Sequence, residues 1–167
     1  AVRCLVLGGS AFIGRRLVEV LLEAGHDVCV LNRGSRSTIP SGVELLVADR
    51  RRPETVRAAL GGRDWDAVFD VSGQVQVAPL ESIVELTEGL DGRCGVYVFL
   101  SSIAAYAIGS GTFPWTEDLP LSTSRPTGYG GHKAAVERLL AERRAERGFP
   151  SVVLRPAAVY GPHDNIP

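Results

Sequence analysis

The sequence predicts an α/β domain built on a doubly wound parallel sheet. Three observations lead there. Short β-rich apolar runs alternate along the chain with stretches of helical periodicity, the pattern of strands joined by crossover helices. The runs are nearly continuous in their hydrophobicity, as strands covered on both faces must be. The first run ends in "GGSAFIG", a glycine-rich turn that opens a helix.

The elements follow in order. "VRCLVLG" (2–8) reads as the first strand. Ile13, Leu17, Val20, Leu21 and Ala24 then recur at helical spacing, and Gly25 is a stop signal. "DVCVLN" (27–32) and "VELLVAD" (43–49) are the second and third strands. A short helix is expected over Pro53–Leu60, with proline in its first turn and Gly61-Gly62 closing it. "DAVFDVS" (66–72) is the fourth strand, 79–90 a helix, and "GVYVFLSS" (95–102) the fifth strand. A long helix spans Tyr129–Arg147, with Val136, Leu139 and Leu140 inward and Gly148 at its end; "SVVLRP" (151–156) is the sixth strand. The segment 107–128, rich in Gly, Ser, Thr and Pro, is a long loop of the kind that often carries function. There is no internal repeat and no low-complexity segment.

Composition narrows the function. A chain of 167 residues suggests one domain with a sizeable core, and 45% hydrophobic against 22% charged residues is ordinary for a soluble globular fold. A net charge of −1 gives no global pull toward nucleic acid or an anionic membrane. No apolar run has the length of a membrane span and no secretory leader opens the chain, so a cytoplasmic protein is expected. Cys4, Cys29 and Cys94 lie in or beside strands without metal-ligand spacing, and read as buried, reduced thiols.

The glycine-rich turn reads as a phosphate site, the alternative being a merely tight turn. Glycine lets the backbone turn tightly and approach a pyrophosphate, and the helix start presents unpaired N–H groups and a partial positive charge. Gly8, Gly9, Ser10, Ala11, Phe12, Ile13 and Gly14 are all candidate dinucleotide contacts. Ala11 stands where glycine is common; its methyl fits if its φ is negative. At the end of the second strand an acidic residue would hold the 2′-hydroxyl of an NAD ribose. Here Asn32 stands there, followed by Arg33 and Arg36, which favours the 2′-phosphate of NADP over NAD; the arginines could also be simple solvated loop charges. Asp49, with Arg50 beside it, is placed to meet the adenine, or else to cap the next helix.

The chemistry is expected at "YGGHK" (129–133). Lys133 is the only lysine among 18 basic residues, so the other 17 are arginines. Residues four apart share a helix face, which brings Lys133 alongside Tyr129. A nearby ammonium favours phenolate, and so suits a tyrosine to acid/base work. Gly130 and Gly131 are poor helix interior and are expected to leave room for a cofactor or substrate. Ser101 and Ser102 stand past the fifth strand, at the carboxyl edge where open parallel sheets bind ligands; either could bond a reacting oxygen.

Taken in order, "LGGSAFIG", "SSIAAY", "TED" (116–118), "YGGHKAAVE" and "LRPAAVYGP" (154–162) resemble the extended short-chain dehydrogenase/reductase superfamily, in particular its NAD-dependent epimerase/dehydratase branch, from about Val2 to Pro162. The resemblance implies a Rossmann fold over 1–167, with the smaller C-terminal substrate domain of that family largely absent. It implies Tyr129 as acid/base and Lys133 as the partner that binds the nicotinamide ribose. The catalytic serine of that family precedes Tyr106 by four residues, which is Ser102. The resemblance also implies Asp49 near adenine, and Pro156 with Ala157 near the nicotinamide. "LNRG", "ADR" and "DAVFDVSG" look most like a divergent reductase- or epimerase-like group that also includes plant chloroplast stem-loop RNA-binding proteins. Ala11, Asn32 and Ala107 depart from the sugar-epimerase pattern of glycine, aspartate and glycine.

Two functional classes follow. The first is an NAD(P)-dependent epimerase, dehydratase or reductase acting on a small-molecule substrate at a hydroxyl or carbonyl carbon, with a nucleotide sugar in view and a homodimer left open. The second is a nucleotide-sensing or RNA-binding module on the same fold, supported by "DRRR" (49–52) and by Arg143, Arg144 and Arg147. The net charge and the complete Ser–Tyr–Lys set favour the enzyme.

Overall fold

The computed structural model describes residues 1–34, 39–72, 76–107, 109 and 113–164. Among them, six parallel strands form one sheet: β1 (Arg3–Leu7), β2 (Asp27–Asn32), β3 (Glu44–Val47), β4 (Trp65–Asp70), β5 (Cys94–Leu100) and β6 (Ser151–Leu154). Their order is β3-β2-β1-β4-β5-β6, so the chain runs outward from β1 to one edge, returns past it, and builds the other half. The reversal falls between β1 and β4, which is where a doubly wound sheet opens a crevice for a ligand.

Alternation along the strands sorts side chains onto two faces. Leu5 and Leu7 point into a cluster with Val56 and Leu60 of helix α2 (Pro53–Leu60), Ile83 and Leu86 of α3 (Leu80–Gly89), and Val136 and Leu140 of α4 (Tyr129–Arg147). Val6, Val28 and Val30 point the other way, onto Val18 of α1 (Phe12–Glu23). Helix ends follow local chemistry. Pro53 starts α2, and Gly61 and Gly148 adopt left-handed conformations that close α2 and α4.

Two expectations need correction. The inner stripe of α1 runs through Gly14, Leu17, Val18 and Leu21, so Leu17 and Leu21 pack as expected, while Val20 is 43% exposed because the helix packs with its glycine against the preceding turn. Coverage of both faces holds for β1, β2 and β4 but not at the edges. Leu45 and Val47 on β3 and Val152 and Leu154 on β6 are exposed, since no described helix lies over them. Strand ends also fall short of the predicted runs: β4 stops at Asp70 and β5 at Leu100. Ser72, Ser101 and Ser102 therefore stand on the loops at the carboxyl edge.

All three cysteines are free; Cys4 and Cys29 are buried and Cys94 is half-buried. Burial pushes the thiols up, Cys29 to about 12 and Cys94 to about 11. Among the described residues no helix is long and apolar enough to cross a membrane, and no group of His, Cys, Asp and Glu could hold a metal ion.

Candidate active site

The glycine-rich turn is tight and packed on its own neighbours. Gly8 has φ +92°, a conformation side chains rarely adopt, and a Cβ there would lie 2.6 Å from the Ser72 Cβ. A Cβ on Gly14 would lie 2.2 Å from the Gly8 carbonyl oxygen, so α1 packs directly on the turn. Ala11 has φ −146°, the negative value its methyl requires; the positive φ of +41° falls on Phe12 instead. The first turn of α1 has no side-chain cap and no acidic residue. The N–H groups at its start therefore meet no side-chain acceptor, as an anion site demands.

Beside this turn lies a concavity lined by Gly8, Ser10, Asn32, Arg33, Arg50 and Ser72. Asn32 Oδ1 accepts from the Gly34 N–H at 2.7 Å, while its buried Nδ2 has no partner. Asp49 does not line this concavity. Its carboxylate takes bonds from the Arg51 side chain at 2.6–3.1 Å and from the Arg51 N–H, which hold it down to about 2. Arg36 lies outside the described residues.

A second cleft opens on the other side of the turn. Ser102, Tyr129, Lys133 and Pro156 line it together, with Phe12 and Ile13 from the start of α1. Val71, Leu100, Ala157 and Val159 complete an apolar wall. Pro156 is fixed there because its carbonyl accepts from the Ile103 N–H at 3.1 Å, tying the ends of β5 and β6 together. Tyr129 is 50% exposed, its ring facing the cleft, and Lys133 is 3% exposed beneath it. Lys133 Nζ lies 5.6 Å from the Tyr129 ring centre and 4.7 Å from that of Phe99, and donates to the Leu100 carbonyl. Burial lowers its pKa to about 8, although Asp70 pulls the other way.

Both serines line this cleft, but their partners differ. Ser101 is buried and donates its hydroxyl to Glu137. Ser102 is half-buried in the cleft, where its Oγ accepts from the Ala104 N–H at 3.2 Å and caps the 3-10 turn Ile103–Ala105. Glu137 in turn receives Arg155 Nε at 3.0–3.1 Å and Nη2 at 2.7 Å, and Arg155 Nη1 reaches Tyr106 Oη and the Glu117 carbonyl. This buried cluster locks β5, β6, α4 and the preceding loop into one frame. Sequence reasoning missed it, though its members lie within the quoted motifs: Glu137 one turn past Lys133, Arg155 in "LRP", and Glu117 in "TED".

The glycines beside Lys133 are not clearance for a ligand, as the sequence suggested. A Cβ on Gly130 would lie 2.2 Å from the Ala104 carbonyl oxygen, and one on Gly131 2.3 Å from that of Arg125. They are small because the protein's own backbone crosses there, pressing the start of α4 onto the turn that carries Ser102.

The arginines that supported nucleic-acid binding are engaged. Arg50 is buried on Asp70, Arg51 pairs with Asp49, and Arg52 with Glu54. Arg143 and Arg147 pair with Glu88 and Asp91, and Arg144 reaches Ser151.

Comparison with known proteins identifies the relatives of this chain. The sequence pattern of the "NAD dependent epimerase/dehydratase family" matches residues 4–167. UDP-glucose 4-epimerase of Neisseria meningitidis serogroup A is 30% identical over 187 residues, covering 96% of this chain and 54% of that protein. Chloroplast stem-loop binding protein of 41 kDa b from Arabidopsis thaliana is 27% identical over 175 residues, covering 96% and 43%. The crystal structure of UDP-glucose 4-epimerase from Thermus thermophilus in complex with NAD superposes with a TM-score of 0.77 at 29% identity, over 92% of this chain and 54% of that one. The chain thus spans about half the length of the curated relatives it matches.

Proposed function

The chain belongs to the NAD dependent epimerase/dehydratase family, and from that premise we propose that it is a nicotinamide-dependent enzyme acting at a carbon that bears a hydroxyl or carbonyl group, as an epimerase, dehydratase or reductase. The observation that carries this reading is the single cleft shared by Ser102, Tyr129, Lys133 and Pro156 at the carboxyl edge of the sheet. The likeness to UDP-glucose 4-epimerases supports a nucleotide sugar as the substrate class. A basic surface for RNA has little support, because most of the arginines that would form it are paired with carboxylates.

The residues fit a dinucleotide. Gly8, Gly9 and Gly14 let the turn pack tightly on Ser72, on Val18 and Val30, and on its own helix, since a Cβ on any of them would meet the protein within 3 Å, and the uncapped start of α1 offers N–H donors to a pyrophosphate. Asn32 carries no negative charge to repel a 2′-phosphate and Arg33 stands next to it at the rim, which supports NADP as the preferred form.

When bound, the nicotinamide supplies the hydride acceptor or donor. The chain's own groups do the rest. Ser102 Oγ, held by the turn after β5, bonds the reacting oxygen. Tyr129, half exposed at the cleft, takes or gives the proton at its phenolic oxygen. Lys133, anchored to the Leu100 carbonyl, sets a donor beneath that ring and toward the ribose side of the cleft. The apolar wall of Ile13, Val71, Leu100 and Val159 keeps water from the reacting carbon.

Replacement of Tyr129 by Phe tests the assignment. Turnover of the full-length protein on a nucleotide sugar should fall at least a thousandfold while dinucleotide binding, followed by fluorescence titration, changes little. Turnover at the wild-type rate would remove Tyr129 from the chemistry.

A further inference from the structure

Arg50 is 4% exposed, yet it lines the concavity beside the glycine-rich turn. Its guanidinium forks onto Asp70, with Nη1 to Oδ1 at 2.6 Å and Nη2 to Oδ2 at 2.8 Å. Nη1 also donates to Ser72 Oγ at 2.6 Å, and Nε reaches Ser82 Oγ at 3.4 Å. From the next strand, the buried Tyr97 hydroxyl donates to Asp70 Oδ2 at 2.7 Å. The cluster therefore ties the segment after β3 and the end of β4 to the middle of β5, with a full positive charge and a full negative charge out of water.

Such a pair is a poor way to gain stability. Desolvation cancels much of the attraction, and apolar residues of similar size often serve as well. Its geometry points elsewhere. Ser72, the residue Arg50 holds, is the one that sits against Gly8, where a Cβ would come within 2.6 Å of the Ser72 Cβ. Asp70 ends β4 in register with Leu7, the last residue before the turn. The path Tyr97–Asp70–Arg50–Ser72 thus ends on the turn that receives the pyrophosphate.

We propose that Arg50 is a positioning residue: paired with Asp70, it holds Ser72 against Gly8 and so fixes the glycine-rich turn in the form that binds a dinucleotide. The proposal rests on the dinucleotide reading above. It assigns Arg50 to the shape of the turn, leaving direct capture of the 2′-phosphate to Arg33.

The test uses the full-length protein and three probes: NAD+, NADP+ and AMP, which shares the adenosine but lacks the pyrophosphate. The triple variant Arg50→Met/Asp70→Leu/Tyr97→Phe removes the ion pair and the hydroxyl on it together, leaves the Ser72 and Ser82 hydroxyls without their guanidinium donor, and takes from the buried Lys133 one attractive and one repulsive neighbour at once. Its unfolding midpoint without ligand should lie within a few degrees of wild type. Its Kd for both dinucleotides should rise tenfold or more, with a much smaller change for AMP. Ser72→Ala, which leaves the ion pair intact, should weaken dinucleotide binding several-fold at unchanged stability, and keeps the question answerable if the triple variant fails to fold. Wild-type dinucleotide affinity in either variant overturns the proposal while leaving the functional reading in place. An equal loss for AMP also overturns it, by making Arg50 a direct adenosine contact. A wild-type protein that binds no dinucleotide overturns both.

Discussion

Lys133 Nζ donates to the carbonyl of Leu100, the last residue of β5, and this one bond ties the helix that carries Tyr129 to the strand that leads to Ser102. The ammonium that makes it is buried, and its pKa is lowered to about 8 by that burial.

A pH prediction follows. In the unfolded chain lysine titrates near 10.4. Between about 8 and that value the unfolded state holds the proton and the folded state does not, so stability rises with pH through this window. Below about 8 both states are charged and the buried ammonium is a standing cost. Lys133→Met removes the titration. The wild-type minus Lys133→Met difference in unfolding free energy, from urea titrations between pH 7 and 10, should grow with pH by up to about 3 kcal/mol. A difference that stays flat would mean that Lys133 is not desolvated.

Ser101 and Ser102 are neighbours with different partners, and substitution should separate them. Ser101→Ala leaves the buried Glu137 without a hydroxyl donor and should cost about 1–3 kcal/mol of stability. Ser102→Ala loses only a cap on a short turn and should cost under about 1 kcal/mol, but should reduce turnover a hundredfold or more. Thermal unfolding and steady-state rates on both variants decide it. The reverse pattern would exchange their roles.

The fold was legible because its signals are local. Apolar runs mark strands, and Gly25, Gly61 and Gly148 stop helices within a few residues of where the periodicity ends. The glycine-rich turn and the Tyr129–Lys133 spacing are local too, so the sequence could mark both, and Tyr129 and Lys133 do line one cleft. What escaped depends on distant partners. Ser101 and Glu137 are 36 residues apart, and Arg50 and Asp70 are 20 apart. From sequence, an arginine held inside by an aspartate on another strand looks the same as one waiting for a phosphate. The exposed faces of β3 and β6 escaped for a related reason: an apolar run reports that a strand can be buried, not that another element covers it.

The same limit misassigned the glycines of "YGGHK", and this too can be tested. Ala is the better helix former by about 1 kcal/mol, so Gly130→Ala would stabilise α4 if the space beside it were kept open for a ligand. A carbonyl oxygen 2.2 Å from the new Cβ reverses the sign. Gly130→Ala and Gly131→Ala should each destabilise by about 2 kcal/mol or more, and should shift the helix start enough to lower turnover even where the variants fold. Unfolding curves that move to higher temperature would show that the backbone does not press there.

Cofactor preference is the last prediction, and it turns on charge at the end of β2. Asn32 spends its side-chain oxygen on the Gly34 N–H and leaves a buried Nδ2 unpaired at the concavity, while Arg33 lines the same rim. An aspartate in place of Asn32 would repel a 2′-phosphate; this pair does not. NADP+ should therefore bind more tightly than NAD+, with the gap shrinking as salt is raised because the arginine is near solvent. Arg33→Ala should narrow the gap about tenfold, and Asn32→Asp should invert the preference by opposing the 2′-phosphate and accepting the 2′-hydroxyl of NAD+. Isothermal titration of both dinucleotides against the three proteins measures it. Equal wild-type affinities would refute the charge argument.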